Sequence, residues 1–435
     1  MVAVGLAIRV FVVLLLFRDQ LDPRFDHWEF GWEMGRVAKS IHDGHGFSSP
    51  LFVPTGPTAW MTPVYPYIIA GVLKVFGLFT PASAIAILTI NSVFAALTSI
   101  PVYFIARRMY DVGVAKVAGW VWALFPYSIY LSIGTIWENT LTALLGSTVF
   151  LQTLRLESGR RTRDWVLWAL LWGLIAMTSP ALLSVLPFLG LWLVYRNWKQ
   201  GRNVIPRAAV AAVVFLACLA PWTVRNYQAF GKFIPLRDNF WLEVHVGYSP
   251  DVSDVFPDST HPSTDSRELR QFITLGELRF MEEKKREALQ FISENPGTAA
   301  VRTVRHIVYL WTGYWSADED FIVREPMHIP NVMFTMWMTA MLVLGLWFSK
   351  QGYRRRGPMT PFVIMVAVFP IIYYITHPSM NYRHPIDPMI AILGSFAAVI
   401  MYERRRVLFG KPVARPAVPR LVPAFVEEES GVDAD

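Results

Sequence analysis

Residues 82–108 read ASAIAILTINSVFAALTSIPVYFIARR, an apolar run without one charged side chain until Arg107 and Arg108 close it. A helix that crosses the hydrocarbon layer of a bilayer needs about 20 such residues. The same pattern, a long apolar run, recurs along the chain. It predicts about ten spans, at 2–17, 82–106, 113–134, 137–155, 164–178, 180–196, 206–222, 331–349, 359–376 and 385–402. The run from Val64 to Phe79 is also apolar, but Lys74 and the flanking prolines suit a helix lying in the interface. The first run lacks a basic leader and a small-residue cleavage site, and Arg9 interrupts it, so it reads as a retained span.

Composition agrees. Over 435 residues the hydrophobic fraction is 54% and the charged fraction 17%, far from the balance of a soluble domain. The mean hydropathy is +0.36. Lys and Arg sit in short clusters between the apolar runs and form no continuous basic face, which argues against a nucleic-acid partner. Cys218 is the single cysteine, so neither an intrachain disulfide nor a cysteine metal site can form.

With the first span running outward, the basic clusters all fall on one side: Arg107 and Arg108, Arg155 to Arg163, Arg196 to Arg202, Lys350 to Arg356, and Arg404 to Arg406. That side is then cytoplasmic, with both termini. The short loops near Thr135, Ser179 and His377 face the other compartment, as do two long segments, 18–63 and 223–330. The second contains an amphipathic helix from Ser266 to Glu294, ended by Asn295-Pro296-Gly297, and reads as a small cap. The expected organisation is therefore an N-terminal membrane region (1–222) with a catalytic first loop (18–63), an extracytoplasmic cap (223–330), C-terminal membrane helices (331–403) and a disordered cytoplasmic tail (404–435). No repeat of fixed period is visible.

The candidate chemistry lies on the outer face. In the first loop Asp26, Glu29 and Glu33 recur at three- and four-residue spacing, so one helix would carry the three carboxylates on a single face. Clustered carboxylates beside a low-dielectric medium raise one another's proton affinity, as a general base working near neutral pH requires; the plainer alternative is a solvated helix face. Downstream, Gly44 to Pro50 and Pro54 to Pro66 are dense in Gly and Pro, with Trp60, Tyr65 and Tyr67 suited to the headgroup layer. They form either a pocket rim or an ordered connection. Glu138 stands at the start of a span, where it either caps the helix or faces a ligand.

Arg225, in Pro221-Trp222-Thr223-Val224-Arg225-Asn226-Tyr227, and Arg383, in His377-Pro378-Ser379-Met380-Asn381-Tyr382-Arg383-His384-Pro385, are cations on the side that disfavours them. Each is either an anchored helix end or a bidentate phosphate ligand. Acids beside phosphate-binding cations fit sugar transfer from a lipid phosphate, in which a base deprotonates the acceptor and cations stabilise the leaving phosphate.

The residues that carry these readings resemble the polytopic glycosyltransferases of the GT-C class, in the branch of protein mannosyltransferases, the lipid A aminoarabinose transferase and glycosyltransferase family 39. The resemblance runs from about Phe25 to Pro388. It rests on Ala38-Lys39-Ser40-Ile41-His42-Asp43-Gly44-His45-Gly46-Phe47-Ser48, Thr62-Pro63-Val64-Tyr65-Pro66 with Phe76-Gly77, and Tyr103 to Arg108. Ile136-Trp137-Glu138, the Pro221 to Tyr227 exit and Tyr382-Arg383-His384-Pro385 complete it.

It implies an all-α polytopic membrane fold with interfacial helices in the first external loop. It also implies an essential acid in that loop, a polyprenyl-phosphate-linked sugar donor, inversion at the anomeric carbon, and an extracytoplasmic lipid, glycan or protein acceptor. The acids here depart from the family's Asp-Glu pairing, and the segment that follows favours Glu33 as the base over Asp26 or Glu29. Tyr65, Glu138, Arg225, His377, Tyr382, Arg383 and His384 are the implied substrate-binding set. Some members use a divalent cation and others none. An O-antigen ligase or polymerase would not require the acidic first loop, and a transporter or flippase would place charges near the bilayer midplane.

Overall fold

The structure is a computed structural model that describes residues 1–15, 30–159, 161–250, 260–316, 322, 328–352 and 354–409. These are helical almost throughout; the described residues contain no strand, and their one isolated bridge pairs Ser48 with Pro57. The all-α expectation holds.

The chain begins with α1 (Val2–Leu15), then α2 (Glu33–His42) and α3 (Val64–Phe76). Next come α4 (Pro81–Leu97), α5 (Ser99–Met109), α6 (Val112–Ala123), α7 (Pro126–Gly134), α8 (Asn139–Leu156), α9 (Thr162–Ala176), α10 (Leu186–Trp198) and α11 (Ile205–Phe230). The segment opposite the basic loops holds α12 (Phe240–Gly247), α13 (Ser266–Leu275), α14 (Glu277–Glu294) and α15 (Pro296–Thr312). The chain then returns through α16 (His328–Lys350), α17 (Thr360–Val368), α18 (Ile371–Ile375), the short α19 (Met380–Arg383) and α20 (Asp387–Phe409).

Each expected apolar run is largely helical over its described residues. Among the described residues six helical segments are long and apolar enough to cross a membrane: Pro81–Met109, Val112–Gly134, Pro180–Trp198, Ile205–Phe230, His328–Lys350 and Met380–Arg405. The chain is a multi-pass membrane protein. Two of the remaining expected spans, α1 and Thr360–Ile375, are apolar but shorter. α8 differs in kind, for it is nearly all buried and carries polar residues. Its hydroxyls bond back along the helix, Ser147 to Ala143 O at 2.6 Å and Thr153 to Val149 O at 2.8 Å, which satisfies them without water.

Arg9, which interrupts the apolar run of the first helix, faces the bundle and is fully buried. Its guanidinium donates to Gly5 O (2.9 Å), to Ala123 O (2.8 Å) and to Ser128 Oγ (3.2 Å). Pro126 breaks the helix between α6 and α7, and a break leaves carbonyls without helical partners. Arg9 supplies a donor at that break.

The two ends of the bundle differ. At one, the basic helix ends meet: Arg354 pairs with Asp111 at 2.7 Å, Arg196 with Glu157 at 2.7 Å, Arg108 donates to Ser158 Oγ, and Arg356 N–H donates to Met109 O. At the other, the loops around 59–64, 135–138, 177–180 and 374–377 gather with α12 to α15. Thr62 Oγ1 donates there to Thr178 O at 2.8 Å, and Asn91 Nδ2 to Thr135 O at 3.1 Å.

Four expectations need correction. The predicted helix from Ser266 to Glu294 is two helices, because Gly276 at φ +73° turns the chain between α13 and α14. The span predicted to leave the membrane at Pro221 continues as α11 to Phe230, and Gly231 in the left-handed region ends it. The predicted tail begins late: α20 runs to Phe409, and the Pro-rich and acidic remainder lies outside the described residues. Finally, no single helix carries the three carboxylates of the first loop, since α2 begins at Glu33 and Phe30 to Trp32 form a turn; Asp26 and Glu29 lie outside the described residues.

Candidate active site

Glu33 is placed by an unusual turn. Phe30, Gly31 and Trp32 have φ of 57°, 94° and 52°, three consecutive residues in the left-handed region, which costs free energy for the two that carry side chains. Gly31 also admits a close approach, since a Cβ there would lie 2.6 Å from Ile136 O. The turn thus seats the start of α2 directly against the Thr135–Glu138 link. A second close approach closes the opposite wall: a Cβ on Gly247 would lie 2.0 Å from Thr376 O, so the end of α12 lies against the backbone beside His377.

Between these walls is a cavity of about 510 Å³. Glu33, Glu138, Glu243, Arg237 and His377 line it from different elements, and Trp137, Pro180, Ala181, Ile372, Tyr373 and Tyr382 give it an apolar side. Such a mixture, apolar wall with a few convergent polar groups, is typical of small-molecule sites.

The carboxylates have distinct environments. The Ser263 hydroxyl donates to Glu33 Oε1, and His261 Nδ1 lies 3.9 Å from the same oxygen. Glu138 stands in the link ahead of α8 with Oε2 buried and unpaired. Burial lifts its carboxyl to about 7, against the pull of its backbone hydrogen bond and of the Arg237 charge. Glu243 Oε2 is 2.8 Å from His377 Nε2. Burial alone would raise the Glu243 carboxyl, but His377, through hydrogen bond and charge, holds it below its ordinary value. Arg237 makes no hydrogen bond or ion pair among the described residues. It is therefore an uncommitted guanidinium within the electrostatic field of Glu138 and Glu243.

Of the residues singled out in the sequence, Glu33, Glu138, His377 and Tyr382 come together here. Tyr65 does not line the cavity but supports it: its hydroxyl donates to Asn91 Oδ1 at 2.9 Å, and Asn91 in turn holds Thr135 O. Arg225, Arg383 and His384 go elsewhere. Arg225 spans the first loop, donating to Thr58 O at 2.6 Å and Phe47 O at 2.5 Å, with Phe47 and Trp222 beside it. Arg383 is buried with its Nε 3.0 Å from Asp387 Oδ1, and His384 Nδ1 is 3.2 Å from Asp387 Oδ2. These two form a buried cluster at the start of α20. Sequence reasoning missed Arg237, Glu243, His261 and Ser263. The topological argument that singled out Arg225, inside α11, applied equally to Arg237, a few residues beyond the end of that helix.

Behind the cavity a carboxyl pair joins the first loop to the cap. Glu277 Oε1 accepts from Ala59 N–H at 2.5 Å, and Asp238 N–H donates to Ala59 O at 3.1 Å. Burial, and then the Asp238 charge, push the Glu277 carboxyl well above its ordinary range. Burial raises Asp238 to about 6.

Known proteins bear on this arrangement. A family model described as dolichyl-phosphate-mannose-protein mannosyltransferase matches residues 59–224, less than half the chain. The structure resembles the archaeal oligosaccharyltransferase AglB from Archaeoglobus fulgidus, solved in complex with an inhibitory peptide and a dolichol-phosphate: TM-score 0.51 and 14% identity, over 93% of this chain and 50% of that one. The apo form of the oligosaccharyltransferase from the same organism gives 0.51 and 13%, over 94% and 51%. This chain thus spans about half the length of the solved oligosaccharyltransferase. ArnT from Cupriavidus metallidurans bound to undecaprenyl phosphate also matches, at TM-score 0.34 and 13% identity over 90% of this chain and 77% of that one, too low for an argument from shape. No curated protein matches the sequence. The resemblance drawn from the sequence is borne out: the matched family and the oligosaccharyltransferase of like fold are glycosyltransferases of the GT-C class.

Proposed function

We propose that the chain is an inverting glycosyltransferase that moves a sugar from a polyprenyl-phosphate donor to a hydroxyl of an extracytoplasmic acceptor. One observation carries the reading: an uncommitted guanidinium, Arg237, and three carboxylates, Glu33, Glu138 and Glu243, share one apolar-walled cavity at the bundle end opposite the basic loops. The match to a dolichyl-phosphate-mannose-dependent family supports the donor class, as does the dolichol-phosphate bound to the oligosaccharyltransferase of like fold. The basic loops, assigned to the cytoplasm by the positive-inside rule, support an outward-facing cavity.

In this mechanism the isoprenoid leaves along the apolar side of Pro180, Ala181 and Ile372, and the phosphate meets Arg237. Glu33 accepts the proton of the acceptor hydroxyl as its oxygen bonds the anomeric carbon from the face opposite the phosphate. The bond from that carbon to the phosphate oxygen breaks, and the polyprenyl phosphate departs with the electron pair, its charge going from −1 to −2. Arg237 stabilises the added charge, Glu243 orients the His377 ring beside it, and Glu138, whose carboxyl burial raises, is placed to hydrogen-bond a sugar hydroxyl. A divalent cation, which the resemblance leaves open, does not fit the described residues on their own: they include no group of three His, Cys, Asp or Glu placed to hold an ion. No step above depends on one.

The test is Glu33→Gln in the purified, membrane-reconstituted protein. Gln keeps the shape and loses the basicity, so turnover should fall 10²–10⁴-fold, the usual cost of removing a general base, while undecaprenyl phosphate still binds. Near-parental turnover would remove Glu33 from the role, and loss of turnover in Glu138→Gln instead would transfer the role to Glu138.

A further inference from the structure

α15 starts among the helices of the cap and ends inside the bundle. The depth of its end can be measured along three helices from the basic end of the molecule. There Tyr110 meets the Ser349 hydroxyl at 2.7 Å, the Phe396 ring at 4.0 Å and Met359 Sδ at 3.9 Å, and Lys350 and the Arg354–Asp111 pair follow at once. Thr339, ten residues before Ser349 in α16, donates to Trp311 O at 2.5 Å. Arg383, thirteen residues before Phe396, has Nη1 3.5 Å from Leu310 O. Tyr374, fifteen residues after Met359, accepts at its hydroxyl from Trp311 Nε1 at 2.7 Å. At the helical rise these separations are about 15, 20 and 22 Å. The hydrocarbon layer is about 30 Å thick, so by each count the end of α15 lies inside it, short of the cavity-side boundary.

The end of the helix is built for that depth. C-terminal carbonyls need partners, and hydrocarbon offers no water to serve them. Leu310 O and Trp311 O have Arg383 and Thr339, and the Thr312 hydroxyl donates to Val308 O at 2.8 Å. Gly313, at φ +79°, then turns the chain back along α16: a Cβ there would lie 3.4 Å from Val332 Cα, and Ser316 N–H donates to His328 Nε2 at 3.1 Å. From Trp311 to Ser316 the contacts on α16 thus move from Thr339 through Val332 to His328, back toward the boundary.

The two faces of α15 differ. Ala299, His306 and Leu310 are buried. Tyr248, just past α12, joins Thr303 hydroxyl to hydroxyl at 2.6 Å, and His306 Nδ1 lies 3.2 Å from Tyr374 O, so this face backs the elements that carry Glu243 and His377. On the other side Val301, Val304, Ile307 and Val308 are exposed, Val304 by 58%. α16, to which α15 is bonded, likewise exposes Ile329, Met333, Met336 and Trp337, as a lipid-facing span does. Arg305 stands six residues before Trp311, about 9 Å nearer the boundary, within snorkelling reach of the headgroups.

We propose that α15 and the return chain to Ser316 form a re-entrant membrane segment, with Val301, Val304, Ile307 and Val308 against the acyl chains of the cavity-side leaflet. The glycosyl-transfer reading is not needed for it.

Nitroxide labels on single cysteines test the proposal, in a Cys218→Ala background and with the full-length chain reconstituted in vesicles of phosphatidylcholine and phosphatidylglycerol. Oxygen concentrates in hydrocarbon, and a polar nickel chelate stays in water. Val304→Cys and Val308→Cys should show an oxygen-to-nickel accessibility ratio about tenfold or more above that of Thr274→Cys on α13, because hydrocarbon excludes the chelate. They should approach Val213→Cys, at an exposed position of α11. The ratio should also rise from Val301→Cys to Val308→Cys, which are about 10 Å apart along the helix.

Ratios at Val304 and Val308 equal to that at Thr274, or falling from Val301 to Val308, would overturn the proposal and leave α15 in water. Low access of both reagents at Val304 and Val308 would overturn it too, since a second copy or another protein would then cover the face.

Discussion

Three arginines near the cavity end of the bundle have different surroundings, and replacing each by Met should separate them. Arg237 faces the cavity without a hydrogen bond or ion pair among the described residues. A guanidinium fork on phosphate makes charge-assisted hydrogen bonds of ~1.5–3 kcal/mol each. Loss of about 3 kcal/mol corresponds to roughly a hundredfold weaker binding of undecaprenyl phosphate. Because Arg237 makes no hydrogen bond or ion pair among the described residues, the melting temperature of Arg237→Met should stay close to that of the parent.

Arg225→Met behaves oppositely, since it strands the carbonyls of Phe47 and Thr58 at ~1–3 kcal/mol apiece. Arg383→Met leaves Asp387 as a buried charge without its arginine, which costs ~3–5 kcal/mol. Both should melt at lower temperature, and the fraction still folded should bind undecaprenyl phosphate nearly as the parent does. Calorimetric binding and thermal unfolding on the same reconstituted samples read both quantities. If Arg237→Met bound the lipid phosphate normally, or if Arg225→Met or Arg383→Met lost binding without losing stability, the assignment of phosphate to Arg237 would be refuted.

Two further outcomes follow from the same geometry. The rise of the Asp238 carboxyl from 3.8 to about 6 corresponds to about 3 kcal/mol. For a carboxyl raised in the folded state, that stability is present below pH 4 and lost as pH climbs through 6. Asp238→Asn should therefore unfold at a higher temperature than the parent at pH 8 and at the same temperature at pH 4; a gap that widened toward low pH would mean Asp238 is stabilised as the carboxylate. For orientation, single cysteines at Thr274 and Lys199 in a Cys218→Ala background should react differently with an impermeant maleimide on intact cells, Thr274→Cys labelling and Lys199→Cys staying protected. The reverse pattern would place the cavity in the cytoplasm.

The helices were legible because hydropathy and charge clusters act locally, one span at a time. So were Glu33, Glu138, His377 and Tyr382, which adjoin recognisable helix ends. The first loop was misread as one helix although Gly31 interrupts it: three- and four-residue spacing reports a face only if the residues between are helical, and Gly31 sits at φ +94°. Arg225 and Arg383 show the limit of the topological argument, for an arginine on the disfavoured side needs a partner, but carbonyls and Asp387 serve as well as phosphate. Arg237, Glu243, His261 and Ser263 lie on or beside irregular chain after α11 and before α13. Which way such residues face is decided by contacts more than a hundred positions away, Ser263 with Glu33 among them.

Arg9 carries a consequence for how the protein is made. The carbonyl and hydroxyl it bonds across the bundle belong to Ala123 and Ser128, and the first of these is 114 residues later in the chain. At a synthesis rate of roughly 5–20 residues per second, the ribosome reaches Ala123 about 6–23 s after Arg9. Through that interval the first helix bears a guanidinium without its native partners, so it rests at a wetter depth, or against the insertion machinery, until the α6–α7 break arrives. The final placement of the N-terminal helix is thus a late event of biogenesis, set by a helix break written a hundred residues downstream.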